Sequence, residues 1–232
     1  AGVYFTDRET VNKVEKMKVC TCLNPLHTAL ALSGCLLGFG LICDEMKDKD
    51  LKKMVEILGY KEGLPVVVDP KIIKPKTFID EVIEKRLPNP FMPDTPQRIA
   101  TDTSQKLSIR FGETVKAYLA NPELDVKTLK ILPMVFALWL RYLLGIDDNG
   151  KEFELSPDPL LPDVKNELAG IVIGKNDESE VEEKIKKLLK NEKIFGFDVV
   201  SSELYGKVKS YFMEMISANG KVREVISRAV EN

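Results

Sequence analysis

The sequence lacks a marked excess of charge of either sign. Lysine and arginine number 34 and aspartate and glutamate 36, which gives a net charge of -2. It also lacks an unbroken apolar run of the roughly 20 residues that a membrane helix needs, because glycine, serine, proline or arginine interrupts residues 29–43 and 132–144. A near-neutral balance leaves no electrostatic footprint for nucleic acid. We therefore expect neither nucleic acid nor a membrane as a partner.

Cysteine is scarce, with four residues in the whole chain: Cys20, Cys22, Cys35 and Cys43. Four cysteines in a chain of this size do not indicate a secreted disulfide framework. The first ten residues also lack the basic and long apolar segments of a signal peptide. The spacing Cys20-x-Cys22, with His27 nearby, differs from the C-x-x-C pair of a zinc site, and no second pair occurs. We expect buried free thiols, no bound metal and a reducing, cytoplasmic location.

Glycine-rich phosphate loops are absent from the sequence. No G-x-G-x-x-G follows a strand-like segment, and no G-x-x-x-x-G-K-[ST] occurs. Few segments alternate with a period of two residues, and no strand–helix–strand rhythm appears. The chain is therefore expected to be mainly α-helical, and we do not expect it to build a nucleotide-binding half by itself.

Apolar residues at helical spacing are instead what the sequence has in abundance. Residues 25–46 and 132–144 predict long helices, and the second is apolar nearly all round and therefore buried. Ser179-x-x-Glu182 predicts a capping box at the start of a later helix. Thr95 followed by Pro96 predicts another helix start. We expect that helix to carry Arg98, Lys106 and Arg110, with the first two about 80° apart around the helix axis and able to face one pocket.

Lys18, Asn24 and His27 form the one polar cluster with evident chemistry. His27 is the only histidine and lies three residues after Asn24, so both side chains can share a helix face. A lysine can move a proton at an alcohol or carbonyl, and Asn and His can donate hydrogen bonds to a developing oxyanion. A lone histidine on an apolar helix is more often a packed core residue, and charged residues such as Arg98 and Lys106 are more often simply solvated.

The segment KVCTCLNPLHTALALSGCLLG resembles the catalytic helix of the mannitol dehydrogenase and fructuronate reductase family, the polyol-specific long-chain dehydrogenases. Three further segments are similar to that family in the same order along the chain: RLPN at 86–89, DTSQK at 102–106 with Arg98 eight residues before Lys106, and FALWLRYLLGIDDNG at 136–150. The collinear matches cover about residues 3–160.

The resemblance implies an enzyme of two domains, a Rossmann domain that binds NAD or NADP and a helical substrate domain of the 6-phosphogluconate dehydrogenase C-terminal type. Residues 1–232 would be the second domain alone, with 1–8 a remnant of the interdomain connection. Lys18 would be the acid or base, Asn24 and His27 would polarise the substrate oxygen, and Arg98 and Lys106 would bind its distant oxygens. The substrate would be a sugar alcohol or a hexuronate (mannitol and fructose, or mannonate and fructuronate). The alternative is a non-catalytic helical dimerisation or scaffold module.

One departure from the family pattern concerns the spacing before Asn24. Five residues separate Lys18 from Asn24, where the family has four. On a regular helix one extra residue rotates a side chain by about 100°, and Pro25 is unusual inside a helix. We hypothesise a π-bulge or kink at residues 20–24 that returns Lys18 to the site. The alternative is a helix that starts afresh at Pro25 with Asn24 as its N-cap.

Overall fold

The computed structural model describes residues 5–231, and no β-strand occurs among them. Two isolated antiparallel bridges, Ile146–Glu152 and Val172–Lys175, are the only strand-like pairings of that range. The mainly α-helical class predicted from the sequence is confirmed. Residues 1–4 of the predicted connection 1–8 lie outside the described residues. The α-helices are α1 Arg8–Met17, α2 Asn24–Leu37, α3 Ile42–Glu45, α4 Lys49–Glu56, α5 Pro75–Glu81, α6 Pro96–Ala100, α7 Glu113–Ala120, α8 Ile131–Tyr142, α9 Leu161–Glu167, α10 Glu178–Leu189, α11 Glu192–Phe195, α12 Tyr205–Met215 and α13 Lys221–Glu231.

Several short turns of other helical types connect these helices. The π-helical turns are Lys18–Cys22, Ile57–Gly63, Val82–Arg86 and Ser108–Gly112. The 3-10 turns are Leu64–Val66, Thr103–Gln105 and Val126–Thr128. A π-turn closes its hydrogen bonds over five residues and is often found at functional sites.

Helix α8 lies at the centre of the core. Every residue from Ile131 to Tyr142 is buried, as its all-round apolar sequence predicts. It packs against α2 and α12. The apolar faces of these helices are thereby removed from water, which is the main favourable term in folding.

Two buried charged residues, Glu62 and Arg141, lie near the two ends of α8. The Glu62 carboxylate accepts hydrogen bonds from the backbone N–H groups of Lys130, Ile131 and Leu132, at 2.7–2.8 Å. These bonds pair N–H groups that have no partner within the helix. Near the other end, the Arg141 guanidinium donates to the carbonyls of Ile146 and Asp147, which follow α8, and of Met215, which ends α12.

One predicted helix proves to be interrupted, and one predicted N-cap lies elsewhere. The helix predicted over 25–46 ends at Leu37, because Gly38 takes a left-handed conformation (φ 76°) that closes the helix, and α3 follows separately. The capping box predicted at Ser179 is also wrong. The N-cap of α10 is Asp177, whose carboxylate accepts from the Glu180 N–H.

The predicted continuous helix through Arg98, Lys106 and Arg110 is wrong as well. Thr95 caps α6 as predicted, but α6 ends at Ala100. Asp102 then adopts φ 54°, and its N–H donates to the carbonyl of Pro157. These contacts with a segment some 55 residues away in sequence override the local helical tendency.

The helical run Arg8–Leu37 is long and apolar enough to cross a membrane, judged by length and composition alone. The sequence analysis expected no such segment. However, 83% of its apolar window is buried inside the fold. That burial is what the core helix of a folded domain shows, so the run is weak evidence for a membrane span.

Candidate active site

Lys18 begins the π-turn that separates α1 from α2. The N–H of Leu23 donates to the carbonyl of Lys18 at 3.1 Å, five residues back along the chain. This wider turn accommodates one more residue than an α-helical turn would. The predicted π-bulge between Lys18 and Asn24 is present, although the turn spans Lys18–Cys22 and so starts two residues earlier than predicted. That it returns Lys18 to the site stays a prediction.

The alternative for this segment is correct only in part. Helix α2 does start afresh after the π-turn, at Asn24, and Pro25 lies in its first turn. Proline is tolerated there because N–H groups of the first turn have no partner within the helix. The N-cap position belongs to Leu23 rather than to Asn24, and no side chain caps the helix.

The Lys18 side chain is half-buried in an open pocket of about 310 Å³. Its ammonium nitrogen lies 5.8 Å from the centre of the Phe78 ring, close enough for a cation–π contact. Glu81 and Arg86 contribute charges to the same pocket, and Leu23 and Val82 contribute apolar walls. The pocket therefore combines a lysine, an arginine and an apolar floor.

His27 lies on the first turns of α2 and is almost fully buried. Burial lowers the pKa of His27 to about 4, and the positive charges of Arg86, Arg110 and Arg98 add to this effect. The imidazole is therefore neutral near pH 7. A neutral imidazole has one N–H donor and one lone pair, and so can donate a single hydrogen bond to a substrate oxygen.

The carboxylate of Asp94 lies between His27 and Arg98. One oxygen, Oδ2, is 3.3 Å from His27 Nε2, and the other, Oδ1, forms an ion pair with Arg98 Nη2. The Asp94 side chain is only 14% exposed, whereas that of Arg98 is 63% exposed. Two of the predicted site residues are thus linked through a third residue that the sequence analysis did not select.

Lys106 and Arg110 form a second pair of cations beside α2. The Arg110 guanidinium donates to the Thr28 hydroxyl at 2.5 Å, next to His27 in the chain. The Lys106 ammonium donates to the carbonyl of Thr101. Burial lowers the pKa of Lys106, and the charge of Arg110 lowers it further. Burial alone lowers the pKa of Arg110 to about 10.

The predicted residues therefore fall into two groups that share neighbours. His27, Arg98 and Lys106 lie close to one another through Asp94 and Arg110. Lys18 is connected to this group through Arg86, which lines the Lys18 pocket and also acts electrostatically on His27. Asn24 is half-buried at the start of α2, one helical turn before Thr28, whose hydroxyl donates to the Asn24 carbonyl.

Sequence reasoning missed three residues of this region: Arg86, Asp94 and Arg110 were not selected as site residues. A signal for Asp94 was present, since Arg98 follows it by four residues across a predicted helix start. Its proximity to His27, by contrast, arises only when the loop before α6 packs on α2.

The four cysteines are buried free thiols, as predicted. Burial raises the pKa of both Cys22 and Cys35 to about 12. Within residues 5–231, no group of three or more His, Cys, Asp or Glu side chains is arranged to hold a metal ion. The cysteines beside Lys18 are therefore packed as small apolar groups.

Comparison with known proteins gives consistent results. Residues 10–216 match the family described as the mannitol dehydrogenase C-terminal domain. D-mannonate oxidoreductase of Thermotoga maritima is 53% identical over 229 residues, which are 99% of this chain and 42% of that protein. Mannitol 2-dehydrogenase of Pyricularia oryzae is 26% identical over 215 residues, 92% of this chain and 39% of that protein.

The fold is also that of a solved structure. Mannitol 2-dehydrogenase of Pseudomonas fluorescens, in a ternary complex with NAD and D-mannitol, superimposes with a TM-score of 0.82 at 22% identity. The match covers 100% of this chain and 43% of that one. The chain thus spans about two fifths of the length of the relatives it matches.

Proposed function

Because this chain belongs to the mannitol dehydrogenase C-terminal domain family, we propose that it is the substrate-binding and acid/base domain of an NAD(P)-dependent oxidoreductase. The reaction is the interconversion of a sugar alcohol or aldonate with its ketose or ketouronate. Within residues 5–231 there is no strand and no glycine-rich phosphate loop, so this part of the enzyme offers no dinucleotide site of its own. The cofactor, held mainly by the remaining part of the enzyme, supplies or accepts the hydride.

Lys18 is the residue we assign to proton transfer. Its ammonium group lines an open pocket and forms no ion pair with any residue of the described range. An amine in such a position can take the proton of a substrate hydroxyl when the alcohol is oxidised, and return it when the carbonyl is reduced. The π-turn supports this assignment, because it offsets the additional residue between Lys18 and Asn24.

Asn24 and His27 are the residues we assign to the reacting oxygen. Both lie at the start of α2, and a neutral His27 can donate one hydrogen bond to that oxygen without adding a full charge to the site. Donors aimed at a developing oxyanion are worth roughly 10²–10³ in rate each. Arg98 and Lys106 are assigned to the more distant oxygens of the substrate.

We favour mannonate and fructuronate, the substrate pair that carries a terminal carboxylate. The observation that carries this choice is the set of three arginines, Arg86, Arg98 and Arg110, whose charges act on the buried His27 ring. Asp94 is the carboxylate that lies against that ring, whereas Glu81 lines the Lys18 pocket and Asp102 and Asp158 act on Lys106. A terminal carboxylate gains charge-assisted hydrogen bonds from such arginines that a terminal hydroxyl does not. The 53% identity to a protein named D-mannonate oxidoreductase supports the same choice.

The test is a rate comparison with the full-length enzyme. With NADH or NADPH, fructuronate and fructose are each reduced at several concentrations, and absorbance of the reduced nicotinamide gives kcat/KM. We expect at least about tenfold preference for fructuronate, since one charge-assisted hydrogen bond is worth about 1.5–3 kcal/mol. Equal values, or a preference for fructose, would refute the acid substrate.

Substitution of the lysine tests the assigned chemistry. Lys18→Ala is expected to lower kcat by about 10²–10⁴-fold, the usual contribution of a positioned acid or base. Lys16→Ala is the matched control, because Lys16 is exposed and pairs with Glu113 on the surface. If Lys18→Ala and Lys16→Ala turn over at similar rates, Lys18 is not the acid or base. Absence of turnover by the wild-type enzyme with any polyol or uronate would favour the non-catalytic module.

A further inference from the structure

We propose that Asp94 is a positioning residue, which fixes the hydrogen of the neutral His27 ring on Nε2 and holds the Arg98 guanidinium beside it. This inference deepens the proposed function and rests on it for its catalytic consequence. It has a spectroscopic consequence that does not depend on catalysis. No site residue selected from the sequence performs this role.

The argument starts from the two contacts of one carboxylate. Asp94 Oδ1 is paired with Arg98, and Oδ2 is 3.3 Å from His27 Nε2. A carboxylate engaged with arginine has only acceptor atoms to offer, so the ring nitrogen that faces it must carry the hydrogen. Because the ring is neutral near pH 7, Nδ1 then carries the lone pair.

Asp94 is itself held in place by its backbone. Its carbonyl accepts a hydrogen bond from the Ile42 N–H at 2.9 Å, which ties the loop to α3. Pro93 precedes it, and Thr95, the N-cap of α6, follows it. Asp94 thus lies between a proline whose own φ is fixed and the capping residue of a helix. The backbone that carries the carboxylate is therefore fixed to α3 on one side and to the start of α6 on the other.

The distance between His27 Nε2 and Asp94 Oδ2 leaves the ring able to donate a hydrogen bond to a substrate as well. At 3.3 Å it is longer than the usual 2.9–3.0 Å of an N–H···O hydrogen bond. The Nε2–H can therefore be shared with a substrate oxygen that enters beside Arg98. Fixing the tautomer by a carboxylate is an established way to prepare a histidine for catalysis.

Asp94→Asn provides a sharp test because an amide has two different ends. The donor-only Arg98 guanidinium will face the amide oxygen, which turns the amide NH₂ toward His27. Nε2 must then accept, and the hydrogen must move to Nδ1. The substitution preserves the shape of the side chain but inverts the tautomer.

His27 is the only histidine of the chain, so its two ring signals in a long-range ¹H–¹⁵N NMR spectrum need no assignment to a residue. At pH 7 we expect the wild-type chain to show Nε2 as the protonated nitrogen, and Asp94→Asn to show Nδ1. Asp102→Asn is the control, since it removes the same charge nearby and asparagine tolerates the left-handed backbone found there. A wild-type ring protonated on Nδ1 overturns the proposal without any variant, and so does an unchanged tautomer in Asp94→Asn.

Kinetics of the full-length enzyme give the second readout. Asp94→Asn should lower kcat by about 10²-fold, the usual loss of one oxyanion donor, with an unchanged Tm. If the wild-type enzyme reduces no polyol or uronate substrate, the proposed function fails while the tautomer result still decides the role of Asp94. If the wild-type enzyme is active and Asp94→Asn retains its kcat, the positioning role fails alone.

Discussion

Glu45 is a buried carboxyl group without a hydrogen-bond partner, and it makes the stability of the fold depend on pH. It lies on α3, is fully buried, and neither of its carboxyl oxygens has a partner. Its carboxyl packs against Gly34, so close that a Cβ built on Gly34 would lie 2.2 Å from Glu45 Oε1. Burial raises the pKa of Glu45 well above its ordinary value of 4.5, and the charge of Asp48 raises it further.

The perturbation is Glu45→Gln, and the sign of its effect follows from proton linkage. The folded state keeps a proton on Glu45 that the unfolded chain releases above about pH 4.5. The stability contributed by this group is therefore fully present below the unfolded pKa and is lost as pH rises through the folded pKa. Glutamine has no proton to release, so the variant lacks this dependence.

The magnitude is set by one proton. The free energy of unfolding of the wild type, relative to Glu45→Gln, should fall by about 1.4 kcal/mol per pH unit above pH 5. The fall should stop where the folded carboxyl finally ionises. Any cost of burying the amide donors, about 1–3 kcal/mol, shifts the whole curve and leaves its slope unchanged. The slope is therefore the diagnostic quantity.

Urea unfolding between pH 5 and 8 measures this slope, with fluorescence of the single tryptophan, buried Trp139, as the probe. Contributions of all other titrating groups cancel between the two proteins. Glu183→Gln, on the exposed surface of α10, controls for loss of a carboxylate. A difference between wild type and Glu45→Gln that stays constant with pH would refute the reasoning.

Three further substitutions test capping and packing, and each is measured as a free energy of unfolding in urea. Glu62→Gln should cost about 2 kcal/mol, because both carboxyl oxygens accept backbone N–H bonds at the start of α8 and an amide NH₂ would face a donor. An unchanged unfolding midpoint would show that α8 does not need this cap. Gly112→Ala should cost about 3 kcal/mol, because its Cβ would lie 2.1 Å from the backbone oxygen of Phe195. Gly206→Ala, in open space within α12, should instead stabilise the fold by about 0.5–1 kcal/mol, and a loss of stability there would contradict the steric explanation.

The parts of the fold that the sequence predicts are those set by local chemistry. The all-round apolar sequence of α8 predicts its burial, because a helix without a polar face has no stable position at the surface. The π-turn was also predictable, since Pro25 disfavours a regular helix at this place and the Lys18–Asn24 segment is one residue longer than in the family that it resembles. The first inference uses only neighbouring residues, and the second also uses the family spacing.

The parts that the sequence does not predict depend on contacts between distant segments. The helix predicted through Arg98 and Lys106 is broken because Pro157 and Asp158 bind the backbone at 102–104. Asp94 meets His27 across 67 residues of sequence. No local sequence pattern predicts either contact, because each forms only when two distant segments pack against a common core.

The charges around His27 are another feature that the sequence composition does not predict, and they bear on the choice of substrate. A net charge of -2 over the whole chain excludes a broad basic surface. It does not exclude the local excess of cations around His27, where Arg86, Arg98 and Arg110 all act on one buried ring. Because the whole chain has a net charge of -2, the rest of the chain carries a compensating excess of carboxylates. Since interactions between exposed charges are largely screened beyond about 10 Å, an anionic substrate responds to the nearby cations and not to the total. The composition is therefore compatible with the acid substrate that we propose.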